Sequence, residues 1–321
     1  MFGRIAIRNI PQVVFEGLEK LSQRHDRSVE AEARYAIRSW VEPLMQREEQ
    51  SARRMEVAVR LREILEQVNS VHPGKTIKPS HVAQVIGESH AEAVENWFSG
   101  KVEPSFVQLE RIAHYLGCAP AWLQHGDGSM IPKDYVRLPE QAMDAIAWLL
   151  DEGEKEIATQ VFFVRSVGQT GSLAIVKCYD RMNCKIFSTP YHVSEEIGAG
   201  GESSLACLFV MWHLLYELYG EGQRYGVRQT IKSFLMAESG FKALLEGNQH
   251  PLILLKEQAE ESTWWEDIWD VDHYPKRNYW SGWKSLCDRI RGVIEFRPRL
   301  AEERQQIAEK KHPAMLNRAA S

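Results

Sequence analysis

Apolar and polar positions alternate at the very start of the chain, where Ile5 and Ile7 are interleaved with Arg4, Ala6 and Arg8 before Pro11 ends the run. A period of two predicts a β-strand, yet nothing beside it in sequence could pair with it. The period then lengthens. Val14, Leu18 and Leu21 recur at helical spacing, "DRS" breaks the pattern, and Ile37, Trp40, Val41 and Leu44 form a second helical stripe. Ser28 suits the N-cap of that second helix, with Glu30 and Glu32 near the positive end of its dipole. A strand and two helices bury little core alone. Antiparallel pairing with the same strand of a second copy buries Ile5, Ile7 and Ile10 and leaves Arg4, Ala6 and Arg8 on the outer face.

From Met55 the pattern is helical throughout. Leu61, Ile64, Leu65 and Val68 make one stripe, and "VHPGKTIKP" reads as a loop. Ser80 is the expected cap of "HVAQVIG", Gly87 permits a tight turn, and Ser89 is the expected cap of "ESHAEAVENWFSG". A further helix follows Ser105 and stops at Gly117, and "APAWLQHG" makes a short last one. Five helices with a short turn between the second and third have the order of a helix-turn-helix unit. "PLMQREEQSARRMEVAV" joins the two units without glycine, so a largely helical connection is expected, with Pro43 the one position at which it could kink.

Residues 134–321 predict an α+β region with a small antiparallel sheet. "QAMDAIAWLLDEGEKEI" reads as a helix, "TQVFFVRSV" and "SLAIVKCYD" as strands about a "GQTG" turn, and "CKIFSTP" as a third strand. A buried helix is expected from Leu205, "TIKSFLMAESGFKALLEG" looks helical, and "PLILLKE" looks like a strand. "GAGGESS" reads as a loop and cap; it lacks the lysine of a phosphate-binding loop. His192, Glu195 and Glu196, and Asp270, Asp272 and His273, read as surface groups. Five tryptophans in 264–283 read as a core corner.

Composition narrows the class. The chain has 321 residues, enough for two or three domains, and a net charge of −5. Residues 1–54 carry 10 basic and 8 acidic side chains, 55–133 carry 7 and 9, and 134–321 carry 22 and 27. Positive charge is concentrated only mildly at the front. The most apolar stretch, "SLACLFVMWHLLYELYG", is short for a membrane span and contains His213 and Glu217. With no signal-like segment at the start and five scattered cysteines, the expectation is a cytoplasmic protein with reduced core thiols.

"IAIRNIP" followed by "HDRSVEAEAR" resembles the ribbon–helix–helix DNA-binding proteins of the Arc and FitA-antitoxin kind over residues 2–45. "VAQVIG", "VENWFSGKVEPSFVQLERIAHYLG" and "AWLQHG" resemble the lambda-repressor/Cro (Xre) family over about 55–131. One residue more than is usual in that family separates Gly87 from Trp97, which leaves the register of the recognition helix open. Together the resemblances imply three regions: a ribbon–helix–helix domain at 1–50, a helix-turn-helix domain at 55–131, and a sensing, regulatory or partner-binding domain at 134–321.

The implied function is that of a prokaryotic, sequence-specific transcriptional regulator, a repressor in the simplest case. It would act as a homodimer on double-stranded DNA, without cofactor, metal or catalytic residues. Arg4, Ala6, Arg8 and Asn9 would face the major groove, where arginine reads guanine bidentately. Arg27 and Ser28 would anchor backbone phosphates. Ser89, His90, Glu92, Glu95 and Asn96 would be the outward residues of the recognition helix, with Lys75, Lys78 and Lys101 at the phosphates. Its glutamates repel phosphate, so base reading should rest more on the ribbon. Two other readings share the same front. One is an antitoxin whose C-terminal half holds a toxin or phage-derived protein. The other is an enzyme delivered to DNA, for which no nucleophile–base pattern stands out.

Overall fold

The computed structural model describes residues 7–71, 74, 76–270 and 277–319. Two helices form the front, α1 (Gln12–Arg24) and α2 (Val29–Val71). α2 is continuous over 43 residues, about 65 Å at helical rise. It therefore carries the expected helical connection through Pro43 and becomes the first helix of the next unit. There it packs with α3 (Pro79–Ile86), α4 (Ala91–Phe98), α5 (Phe106–Leu116) and α6 (Pro120–His125). The glycine stops hold as expected: Gly87, Gly117 and Gly126 each end a helix in the left-handed region. Ser105 caps α5 in a reciprocal box with Gln108. The other two caps differ. Lys78 precedes Pro79 at the start of α3, and His90 rather than Ser89 is the N-cap of α4.

The remainder is built on one six-stranded mixed sheet, in the order β1 (Lys133–Tyr135), β4 (Cys184–His192), β3 (Ser172–Cys178), β2 (Gln160–Ser166), β5 (Thr230–Met236), β6 (Ala259–Ser262). β2–β3–β4 is the expected antiparallel meander, but β1 runs parallel to β4 and β5 parallel to β2. The sheet is thus larger than expected and not purely antiparallel. Parallel neighbours need long crossovers, which leave no local signal of the kind a hairpin turn leaves. α7 (Ala142–Leu149) precedes β2, and α8 (Ala199–Gly220) and α9 (Gly222–Tyr225) lead to β5. α10 (Glu238–Glu246) and α11 (Pro251–Gln258) separate β5 from β6, and α12 (Trp264–Asp267), α13 (Trp283–Phe296), α14 (Pro298–Ala308) and α15 (Pro313–Ala319) complete the chain.

Four local expectations are corrected here. "TIKSFLM" is strand β5, paired with β2 and buried at Ile231, Ser233, Phe234 and Met236, and only "ESGFKALLE" is helix. "PLILLKEQ" is helix α11, started by Pro251 and by His250, whose Nδ1 accepts from Leu252 N at 3.3 Å. "GAGGESS" is the N-cap and first turns of α8, which begins at Ala199 rather than Leu205. α7 also stops early. Asp151 adopts φ 54° and turns back to meet Lys177 at 2.6 Å, ending the helix.

Two apolar layers sandwich the sheet. On one face Val161, Phe163, Leu173, Ile175, Phe187 and Ile231 pack against α7, α8 and α12–α15. Trp264, Trp265 and Trp283 are fully buried in this layer, as a core corner requires. On the other face Phe162, Val164, Ala174, Val176, Ile186 and Phe234 pack against α10, α11 and the helices α2–α6. The core of the helical unit is therefore continuous with the sheet. Gly117 marks the closest approach: a Cβ there would sit 2.2 Å from Met182 O in the β3–β4 turn. Buried His250 fastens the same junction, its Nε2 at 3.1 Å from Met182 O and its backbone N donating to Gln67 Oε1 at 2.6 Å.

The expectation of five reduced thiols is also corrected. Antiparallel register sets Cys178 opposite Cys184, and the two form a disulfide. Cys118, Cys207 and Cys287 are free and buried. Among the described residues no helix is long and apolar enough to cross a membrane.

Candidate nucleic-acid interface

Arg4 and Ala6, the first two expected ribbon residues, lie outside the described residues. Of the rest, Ile7–Ile10 carry no ladder partner among the described residues. Arg8 and Asn9 are exposed, Asn9 takes φ 61°, and Ile7 is 56% exposed. The helical pair behind them is laid out as its pattern predicts, but among the described residues little covers its apolar stripe, of which Leu18 alone is half-buried. Val13 is 81% and Trp40 75% exposed, and Val14, Leu21, Ile37 and Val41 are exposed as well.

The turn between α1 and α2 is built by its own charges. Asp26 takes the left-handed conformation at φ 49°, and Arg27 N donates to Ser22 O at 2.9 Å. Ser28 Oγ accepts from Ala31 N at 3.1 Å, so Ser28 does cap α2. The backbone N–H groups of Val29 and Glu30 belong to the same first turn. Arg27 is exposed, with its guanidinium 4.5 Å above the Tyr35 ring and 3.6 Å from Glu32. By its place in the sequence Glu32 would serve only the helix dipole. It is in fact buried, and its carboxylate also meets His25 Nδ1 at 2.9 Å. Glu32 thereby fixes the loop that presents Arg27 and Ser28.

In the second unit α3 and α4 meet across a turn, and of the expected outward residues all but Asn96 are exposed. Ser89, His90, Glu92, Glu95 and Lys101 are exposed, while Val94, Trp97 and Phe98 face the core. Asn96 is half-buried and stands apart from the outermost face. Lys78 is exposed, and Lys75 lies outside the described residues. The C-terminal half leaves this face of α4 open. Its surface is acidic in character, because Glu92 and Glu95 are its central side chains.

The arginines of this unit do something the sequence pattern does not announce. Arg62 donates to Phe98 O at the end of α4, Arg60 to Leu123 O in α6, and Arg111 to Ile86 O at the end of α3. Arg54 donates to Lys101 O at 3.0 Å, and Arg53 pairs with Glu103 at 2.6 Å. Cations on carbonyls at helix C-termini complement the dipole. Partial burial pulls the Arg60 guanidinium below its ordinary pKa. These arginines brace the unit, so its basic count overstates the charge free for phosphate.

The C-terminal candidates do not assemble into one site. His192 is exposed and its Nδ1 lies 3.3 Å from Ser172 Oγ, Glu195 abuts Gly282, and Asp272 and His273 lie outside the described residues. A cleft of about 1180 Å³ runs between α3, α5 and the β3–β4 turn. Its charged lining is of both signs: Glu110, Arg111, Glu156, Asp180 and Lys185. No family model, no curated protein and no solved structure matches the chain.

Proposed function

We propose that the chain is a dimeric, sequence-specific DNA-binding transcriptional regulator, a repressor in its simplest mode of action. One observation carries the reading. Val13, Val14, Leu21, Ile37, Trp40 and Val41 of the α1–α2 unit are all exposed, a concentration of uncovered apolar side chains on one pair of helices. A second copy covering that stripe would bring two N-terminal segments side by side, as in the ribbon–helix–helix proteins the sequence resembles. Arg4, Arg8 and Asn9 would then enter one major groove as a two-stranded ribbon. Arg27 and the first turn of α2 would hold the flanking phosphates.

The α3–α4 unit supports the reading in a secondary role. Its exposed face offers His90 and Ser89 to a groove, but Glu92 and Glu95 oppose approach to phosphate. Because α2 runs unbroken from one unit to the other, a dimer would hold both at restricted distance, and linkage of that kind lengthens a footprint.

Selection from a random-sequence DNA pool with the full chain tests the function. The expected product is an inverted repeat protected as a single footprint. A pool that enriches no sequence after repeated rounds would remove sequence-specific DNA binding from consideration.

A further inference from the structure

On the sheet face away from α3–α4, a groove of about 660 Å³ lies between the first turn of α8, the end of α13 and the first turn of α14. Arg289, Arg297 and Arg299 line it, against a single acid, Glu202. Arg289 engages that acid at 3.4 Å. Arg297 donates to Ser203 Oγ, and among the described residues neither it nor Arg299 has a carboxylate partner. Phe296, immediately before Arg297, lines the same groove and is 90% exposed. Two uncompensated guanidinium groups beside an open aromatic face match a ligand that carries both phosphate and a flat ring.

We propose that this groove binds a nucleotide, its phosphates against Arg297 and Arg299 and its base on Phe296. The volume suits one small molecule. A long polyanion is disfavoured, because Glu295, Glu302 and Glu303 flank the arginines and residues 134–321 are acidic overall. The larger cleft at α5 does not compete as a site of defined chemistry, since its two signs of charge select no ligand class. The assignment stands apart from DNA reading and does not depend on it.

Calorimetric titration of the full chain with ATP, GTP, CTP and UTP, and with inorganic tripolyphosphate, tests it. At least one nucleotide should bind at one site per chain and more tightly than tripolyphosphate. Arg297→Ala combined with Arg299→Ala should weaken that nucleotide about tenfold or more. Phe296→Ala should weaken it about tenfold and leave tripolyphosphate unchanged. Arg8→Ala should alter neither. If the double variant shifts the melting temperature, Arg299→Gln, which sheds no hydrogen bond or ion pair to the described residues, replaces it. The proposal is overturned if no nucleotide binds. It is equally overturned if tripolyphosphate binds as well as any nucleotide, or if folded arginine variants bind as wild type does.

Discussion

Glu32 and Lys177 show what a single buried charge does in this chain. Glu32 sits under the α1–α2 turn and holds both His25 and Arg27, so Glu32→Ala should loosen the loop by about 1–3 kcal/mol. Faster amide exchange at residues 26–32 would report it, and unchanged exchange would deny Glu32 that role. Lys177 projects from β3 into the apolar layer, its ammonium 3.9 Å from the Trp148 ring centroid and 2.6 Å from Asp151. Burial pulls its pKa below the ordinary lysine value, opposed by the bond to Asp151. Asp151→Ala strands that charge and should cost about 3–5 kcal/mol, whereas Asp151→Ala with Lys177→Met should recover most of the loss. Denaturant midpoints of the three proteins decide the matter; a single variant as stable as wild type would contradict it. Neither role was legible in the sequence. A charge in an alternating or helical pattern reads as solvent-facing, and only the tertiary neighbours of Glu32 and Lys177 bury them.

Among the elements, the helical units were the more legible part. Their stops are covalent facts of glycine and proline, and α3–α6 end where Gly87, Gly100, Gly117 and Gly126 permit. β5 and α11 were read the wrong way round because short apolar runs fit either period, and burial by partners distant in sequence decided them. α8 carries a consequence for pH. His213 on this helix is buried and stacked on Trp269 at 4.0 Å, and burial pushes its pKa down to about 4 from the ordinary 6.5. The unfolded chain takes up that proton near 6.5 and the folded chain only near 4. Stability from this group is therefore full above pH 6.5 and is lost as pH falls toward 4, by roughly 3 kcal/mol. His213→Phe should flatten the stability profile across that interval; an unaltered slope would place the effect elsewhere.

For the whole molecule, the question is what completes the front. The sheet and α3–α6, with the second half of α2, share two buried apolar cores, to which no described residue before Val57 contributes. Trp40 is already 75% exposed, so Trp40→Glu should leave the melting of the single chain unchanged while converting a dimer to a monomer in sedimentation. A variant that stays dimeric would assign self-association to another surface. The net charge of −5 further implies that non-specific DNA affinity is weak and that specificity must come from few contacts. Arg8 is the described residue on which this turns. The most direct measurement compares wild type and Arg8→Ala on the DNA site that the full chain selects, and on single-base variants of it. A loss of about 1–3 kcal/mol with relaxed preference at one base pair per half-site is the predicted result. Equal affinity and equal preference in the two proteins would contradict groove reading by the N-terminal ribbon.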